Sequence, residues 1–148
     1  MNKIRNIIVI SLALFVFVAC IPQAEQPTSG DTITGIVWQW ESVTVKPAGD
    51  TTTVPDPQNY TITFNEDGTL AGKADCNSFG GTYSQDNGLV ITLGPSTMAF
   101  CGEDSLDQQY VDLLGQVVAG GPDGAGGLAL ENAGGEKRML FSNGGAAP

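Results

Sequence analysis

In the stretch ITGIVWQWESVTV, apolar Ile36, Trp38 and Trp40 occupy one face and Val37, Gln39 and Glu41 the other. That period of two predicts a half-buried strand. KPAGDTTTVPDPQN, with three prolines, reads as a loop. YTITFNEDGTLAGKA repeats the alternation through Tyr60, Ile62 and Phe64, turns at NEDG and returns through Leu70. Asp67-Gly68 supplies the positive φ of a tight hairpin. GGTYS and GLVITLG flank QDNG in a second hairpin pattern, and LALE and RMLFS, joined by NAGGEK, are two further short strands.

The period changes in SLDQQYVDLLGQVV. Leu106, Tyr110, Leu113, Leu114 and Val117 fall at i, i+4, i+7, i+8 and i+11, the stripe of an amphipathic helix. Ser105 with Gln108 has the form of a capping box, Asp104 and Asp107 suit the positive end of the helix dipole, and GGP at 120–122 ends the run. A stripe of that width has to be covered by the sheet. The expected fold is mainly β (α+β): a curved antiparallel sheet or small open barrel of six or seven strands with one amphipathic helix packed on it.

The N-terminus changes the picture. Lys3 and Arg5 precede an apolar run from Ile7 to Val18, about half of what a membrane span needs, which reads as a signal-peptide core. Ala19-Cys20 closes it and resembles the bacterial lipobox, with Phe17 where an aliphatic residue is usual. The alternative is an ordinary cleaved signal beside an incidental cysteine. The expected organisation is a signal peptide at 1–19, lipidated Cys20 with a flexible tether at 20–32, one domain at 33–142 and a disordered tail at 143–148. Lipidation at Cys20 would tether the mature chain to a membrane without spanning it. Two cysteines then remain, Cys76 and Cys101, in an exported setting where an even pair bonds.

From Cys20 onward, four basic residues (Lys46, Lys73, Lys137, Arg138) face sixteen acids, a net charge of −12. Phosphate binding needs clustered Lys and Arg, so nucleic acid is not an expected partner. The chain has no histidine, which removes Ser-His-Asp and Cys-His catalysis and His-ligated metals. An enzyme would have to work with carboxylates, Tyr or Lys.

TGIVWQW, ITFNEDGTLAGKADCNSFGGTYS, LVITLGPSTMAFC, LDQQYVDLL and LALENAGGEKRMLF resemble, in order, the META domain of HslJ-like bacterial envelope proteins, over about residues 33 to 142. The most specific parts are Gly72, Cys76, Asn77, Phe79, Gly81 and Tyr83 in one segment, and Thr97 and Cys101 in the next. Met98 stands where relatives commonly carry a basic residue. The resemblance implies a mostly β fold with one helix, export or lipid anchoring, no enzyme activity, and a link to heat or antibiotic stress. The fold it implies also looks like small lipid-binding pilotin barrels.

A zinc site lacks ligands in a chain with no histidine and two available cysteines. A catalytic thiolate wants a neighbouring cation, yet Asp75 precedes Cys76 and Glu103 lies two residues beyond Cys101. A Cys76–Cys101 disulfide is the expected state, and neither a metal nor a cofactor is expected. GGPDGAGGL has the look of a calcium repeat but reads better as a loop, and Gly80-Gly81 as a turn or bulge. Trp38 and Trp40, with Phe64 and Leu70, either fill the core or line a pocket for an acyl chain or apolar drug. Two functions follow: a non-enzymatic, lipid-anchored envelope protein that binds a protein partner or supports the envelope under stress, or a carrier of a small apolar ligand. A carboxylate hydrolase is the third and weakest reading.

Overall fold

The computed structural model describes residues 32–148. The signal segment, Cys20 and the tether up to Asp31 lie outside the described residues. Nine antiparallel strands form one curled sheet: β1 (Ile36–Val45), β2 (Asp50–Thr53), β3 (Tyr60–Phe64), β4 (Thr69–Ala74), β5 (Asn77–Ser84), β6 (Val90–Ser96), β7 (Val117–Pro122), β8 (Leu128–Asn132) and β9 (Lys137–Ala146). Their order is β6-β5-β4-β3-β1-β9-β8-β7, with β2 paired to the second half of β1. Among the described residues one α-helix, α1 (Asp107–Leu114), connects the two edge strands β6 and β7. The expected mainly β architecture with one packed helix is the architecture found.

Alternation explains most of the sheet. Tyr60, Ile62 and Phe64 of β3 are buried, and Leu70 and Ala74 of β4 join them from the paired strand. In β1 the period breaks once: Trp38 and Trp40 are buried, and then Val43. Trp40 pairs with Phe141 and Ser42 with Leu140, so Glu41 is an extra residue on β1. A one-residue bulge exchanges the two faces, which brings an odd-numbered valine inward after two even-numbered tryptophans.

The helix closes the concave side of the sheet through Tyr110. Its ring stacks on Trp40 at 5.0 Å and meets Tyr60 and Phe79 edge-on at 5.8 Å and 6.0 Å. The helix is shorter than its apolar stripe predicts. It ends at Leu114, Gly115 donates its N–H to the Val111 carbonyl, and Val117 begins β7 as a buried strand residue.

Three expectations are corrected here. Strands β2 and β7 raise the count above six or seven: DTTT is exposed throughout and VVAGGP is diluted by glycine and proline, so neither shows a clean period. The 143–148 segment is largely not a tail, because β9 runs to Ala146 and pairs Asn143 with Trp38 and Ala146 with Ile36. Backbone pairing asks nothing of the side chains, so a glycine-rich strand leaves little trace in hydropathy. The capping box does not form. The N-cap residue is Leu106, which has no capping side chain; its N–H donates to the Tyr60 hydroxyl at 2.9 Å, and Ser105 Oγ accepts the Asp107 N–H at 3.3 Å.

Tyr110 also carries a cost. Its ring is fully buried and its hydroxyl has no hydrogen-bond partner among the described residues. Burial pushes its pKa well above the ordinary tyrosine value, so the phenol stays neutral. A buried unpaired hydroxyl costs about 1 to 3 kcal/mol. Tyr110→Phe is therefore expected to stabilise the domain by about 1 kcal/mol, read as a higher urea midpoint with an unchanged m-value. A loss of stability would show that the hydroxyl is satisfied after all.

Candidate functional site

The two motif segments of the sequence meet at one end of the sheet. Asp75 and Cys76 form the two-residue turn between β4 and β5, with Ala74 paired to Asn77 and Asp75 in the left-handed region at φ 56°. The hairpin turn thus falls at the cysteine. Gly80-Gly81, read as a turn or bulge, lies inside β5 at a bulge against β6 between Phe79 and Gly81. Cys76 is bonded to Cys101 across 25 residues, with the Cα atoms 5.5 Å apart.

Asn77 is the buried polar centre of this region, 6% exposed. Its Nδ2 donates to the Ala99 carbonyl at 2.9 Å and to Asp107 Oδ2 at 3.1 Å, and lies 3.2 Å from the Cys101 sulfur. Its Oδ1 accepts from the Ala99 N–H at 2.7 Å and from the Thr97 hydroxyl at 3.0 Å. One side-chain amide therefore holds both backbone groups of Ala99 and the first turn of α1. Thr97 adds a second clamp: its Oγ1 accepts from the Ser78 N–H, and its own N–H donates to the Ser78 carbonyl.

The remaining motif residues sit within the sheet. Gly72 sits opposite Phe79, and a Cβ there would run into the Phe79 ring and the Thr61 carbonyl. A Cβ on Gly81 would meet the Thr92 carbonyl at the bulge. Tyr83 covers Phe64 edge-on at 4.9 Å and donates its hydroxyl to the Asn65 carbonyl. Partial burial, with Asp67 and Glu66 nearby, raises the Tyr83 pKa above its ordinary value. Cys76, Asn77, Thr97 and Cys101 thus fix the 97–101 segment against β5 and α1, while Gly72, Gly81 and Tyr83 shape the sheet that carries them.

That segment exposes what it holds. Met98 is 87% exposed and Phe100 84% exposed, on either side of the clamped Ala99. Both line a groove of about 670 Å³ between the segment, β5 and α1, together with Phe79, Val111 and the carboxylates Glu103, Asp107 and Asp112. Phe100 escapes a reading by hydropathy period because TMAFC looks like the tail of strand β6. The available signal was an apolar residue on each side of Ala99, in a span that ends at a disulfide cysteine.

The chain matches the sequence profile of the META domain over residues 31–144. It belongs to the META domain family. Among curated proteins, none matches it. Two solved structures share the fold of this META domain. A DUF4847 family protein from Bacteroides vulgatus ATCC 8482 superposes with a TM-score of 0.59 at 15% identity, over 74% of this chain and 93% of that one. A protein from Burkholderia xenovorans, solved by NMR, does so with a TM-score of 0.59 at 21% identity, over 75% and 83%.

Trp38, Trp40, Phe64 and Leu70 are not brought together around a pocket. They are 2%, 0%, 0% and 3% exposed, and Trp38 and Trp40 spend their indole N–H groups on the Ile33 and Ser42 carbonyls. Three depressions in the surface are lined by other residues. The carrier reading therefore loses its expected site, because α1 fills the concave face with Tyr110 and Leu114.

The GGPDGAGGL segment, read as a loop, is one only over 123–127; Gly120, Gly121 and Pro122 end β7 and Leu128 begins β8. Asp123 accepts the Ala125 and Gly127 N–H groups at 2.8 Å each, and these bonds lower its pKa. Asp67 does the same work in the β3–β4 turn, its pKa lowered first by the Thr69 hydroxyl and then by the Thr69 N–H. No group of three or more metal-ligating side chains is assembled among the described residues, and no helix there is long and apolar enough to cross a membrane.

Proposed function

We propose that this chain is a non-enzymatic, lipid-anchored envelope protein whose META domain binds a protein partner or supports envelope integrity under heat or antibiotic stress. The observation that carries the reading is the pair Met98 and Phe100, held almost fully exposed on a segment clamped by Asn77 and the Cys76–Cys101 disulfide. A backbone already held rigid has little conformational entropy left to lose on binding, which is the economy of a docking surface.

The paired cysteines favour an oxidising compartment, in keeping with the apolar N-terminal run ending at Cys20. Asp67 and Asp123 shift downward, away from the range that a general acid needs at neutral pH. Asp107, which faces the groove, already accepts from Asn77.

Fractionation of cells tests the anchor. Cys20→Ser is expected to move the protein from the membrane pellet to the soluble fraction, with Cys76 and Cys101 resistant to thiol labelling until reductant is added. A variant that still sediments with membranes would remove the lipid anchor, and stoichiometric labelling without reductant would remove the disulfide-dependent part.

A further inference from the structure

We infer that the Met98–Phe100 groove takes an extended cationic, amphipathic segment of a partner protein, one that sets apolar side chains beside Lys or Arg. The inference rests on the partner-binding reading above and gives that partner its chemistry. The apolar half of the match is Met98 and Phe100 with Phe79 and Val111 behind them. The polar half is charge. Glu103, Asp107 and Asp112 line the same groove, and a second depression of about 310 Å³ continues past Cys101 and Glu103 to Asp56, Asp75 and Asp104. Six of the sixteen acids thus line two adjoining depressions that share Cys101 and Glu103, and none of the four basic residues Lys46, Lys73, Lys137 and Arg138 does, Lys73 reaching only Asn59 at the edge of the second.

The same charges select against other occupants. A membrane surface with anionic headgroups is repelled by such a rim, so Met98 and Phe100 are poorly placed to enter lipid. A second copy of the chain brings a formal net charge of −10 to the encounter, and Arg138 is already paired with Glu131 at 3.0 Å. A cationic segment is drawn in by the field and then buries the two exposed side chains, which separates on-rate from residence time.

The test uses the full chain in mild detergent and a fluorescent peptide of alternating Lys with Leu and Phe, followed by anisotropy. Expected are saturable binding that weakens with added salt, a loss of about tenfold or more for the double variant Met98→Ser with Phe100→Ser, and a loss of similar size for Glu103→Gln with Asp112→Asn. A peptide with serine in place of Leu and Phe should bind no better than the double serine variant. All four substituted side chains are exposed, and circular dichroism checks that the variants fold.

Equal binding by wild type and the double serine variant would mean unspecific attraction and would overturn the inference. So would absence of binding, binding of anionic vesicles that depends on Phe100, or self-association that does. Photo-cross-linking from position 100 in intact cells separates the two levels. Capture of a protein through a site without Lys or Arg overturns the cationic assignment and leaves partner binding standing, whereas loss of Cys20-dependent anchoring strikes the broader reading alone.

Discussion

Removing the disulfide, as Cys76→Ala with Cys101→Ala, is expected to cost about 3 to 4 kcal/mol of stability in the chain-entropy account, since the bond closes a 25-residue separation. A small domain has roughly 5 to 15 kcal/mol in total, so the loss is a large share. Urea unfolding of the variant, and of wild type with reductant, should give the same lowered midpoint. The double alanine variant keeps the Asn77 hydrogen bonds to Ala99 and Thr97 and should therefore remain folded in dilute buffer. A loss below about 1 kcal/mol would mean that the unfolded chain is already restrained near this turn.

Asn77→Ala is expected to cost about 3 kcal/mol, because a side chain only 6% exposed loses its bonds to both backbone groups of Ala99, to the Thr97 hydroxyl and to Asp107 Oδ2. Asn77→Asp discriminates between lost volume and lost chemistry. It keeps the shape, cannot donate when ionised, and places a second carboxylate against Asp107 and the Ala99 carbonyl. Like charge and burial raise the folded-state pKa of that new carboxyl above its unfolded value. Its favourable contribution is then present below the unfolded pKa and lost as pH rises through the folded one. Asn77→Asp should thus be close to wild type in acid and approach Asn77→Ala at neutral pH, measured by unfolding midpoints across that range. Equal stability of the two variants at every pH would show that the donor bonds contribute little.

Much of the sheet was legible because each side chain's environment repeats with the strand. Tyr60, Ile62 and Phe64 alternate inward as read, and Asp67-Gly68 turns the chain where the pair says it should. Misreadings have definite causes. The phase flip at Glu41 depends on how β9 pairs with β1, a partner almost a hundred residues away. Strand β7 competes with the end of a helical stripe, and Val117 satisfies both periods, so the edge of β8 decides. The motif residues were identified through family resemblance, but Asn77 could not be known as a hub, because its partners Thr97, Ala99, Cys101 and Asp107 lie 20 to 30 residues downstream.

Local periodicity, turn chemistry and cysteine arithmetic by themselves determined a mainly β domain with one amphipathic helix and a Cys76–Cys101 bond, and motif resemblance pointed to the META family. These depend on residues close in the chain, or on counts. Only the tertiary structure decided that Trp38, Trp40, Phe64 and Leu70 are a filled core, and that the exposed apolar surface lies instead at Met98 and Phe100. Whether an apolar side chain is covered depends on what the helix and the opposite strands bring to it. Tyr110 covers the tryptophan face, and nothing among the described residues covers the segment beside Cys101.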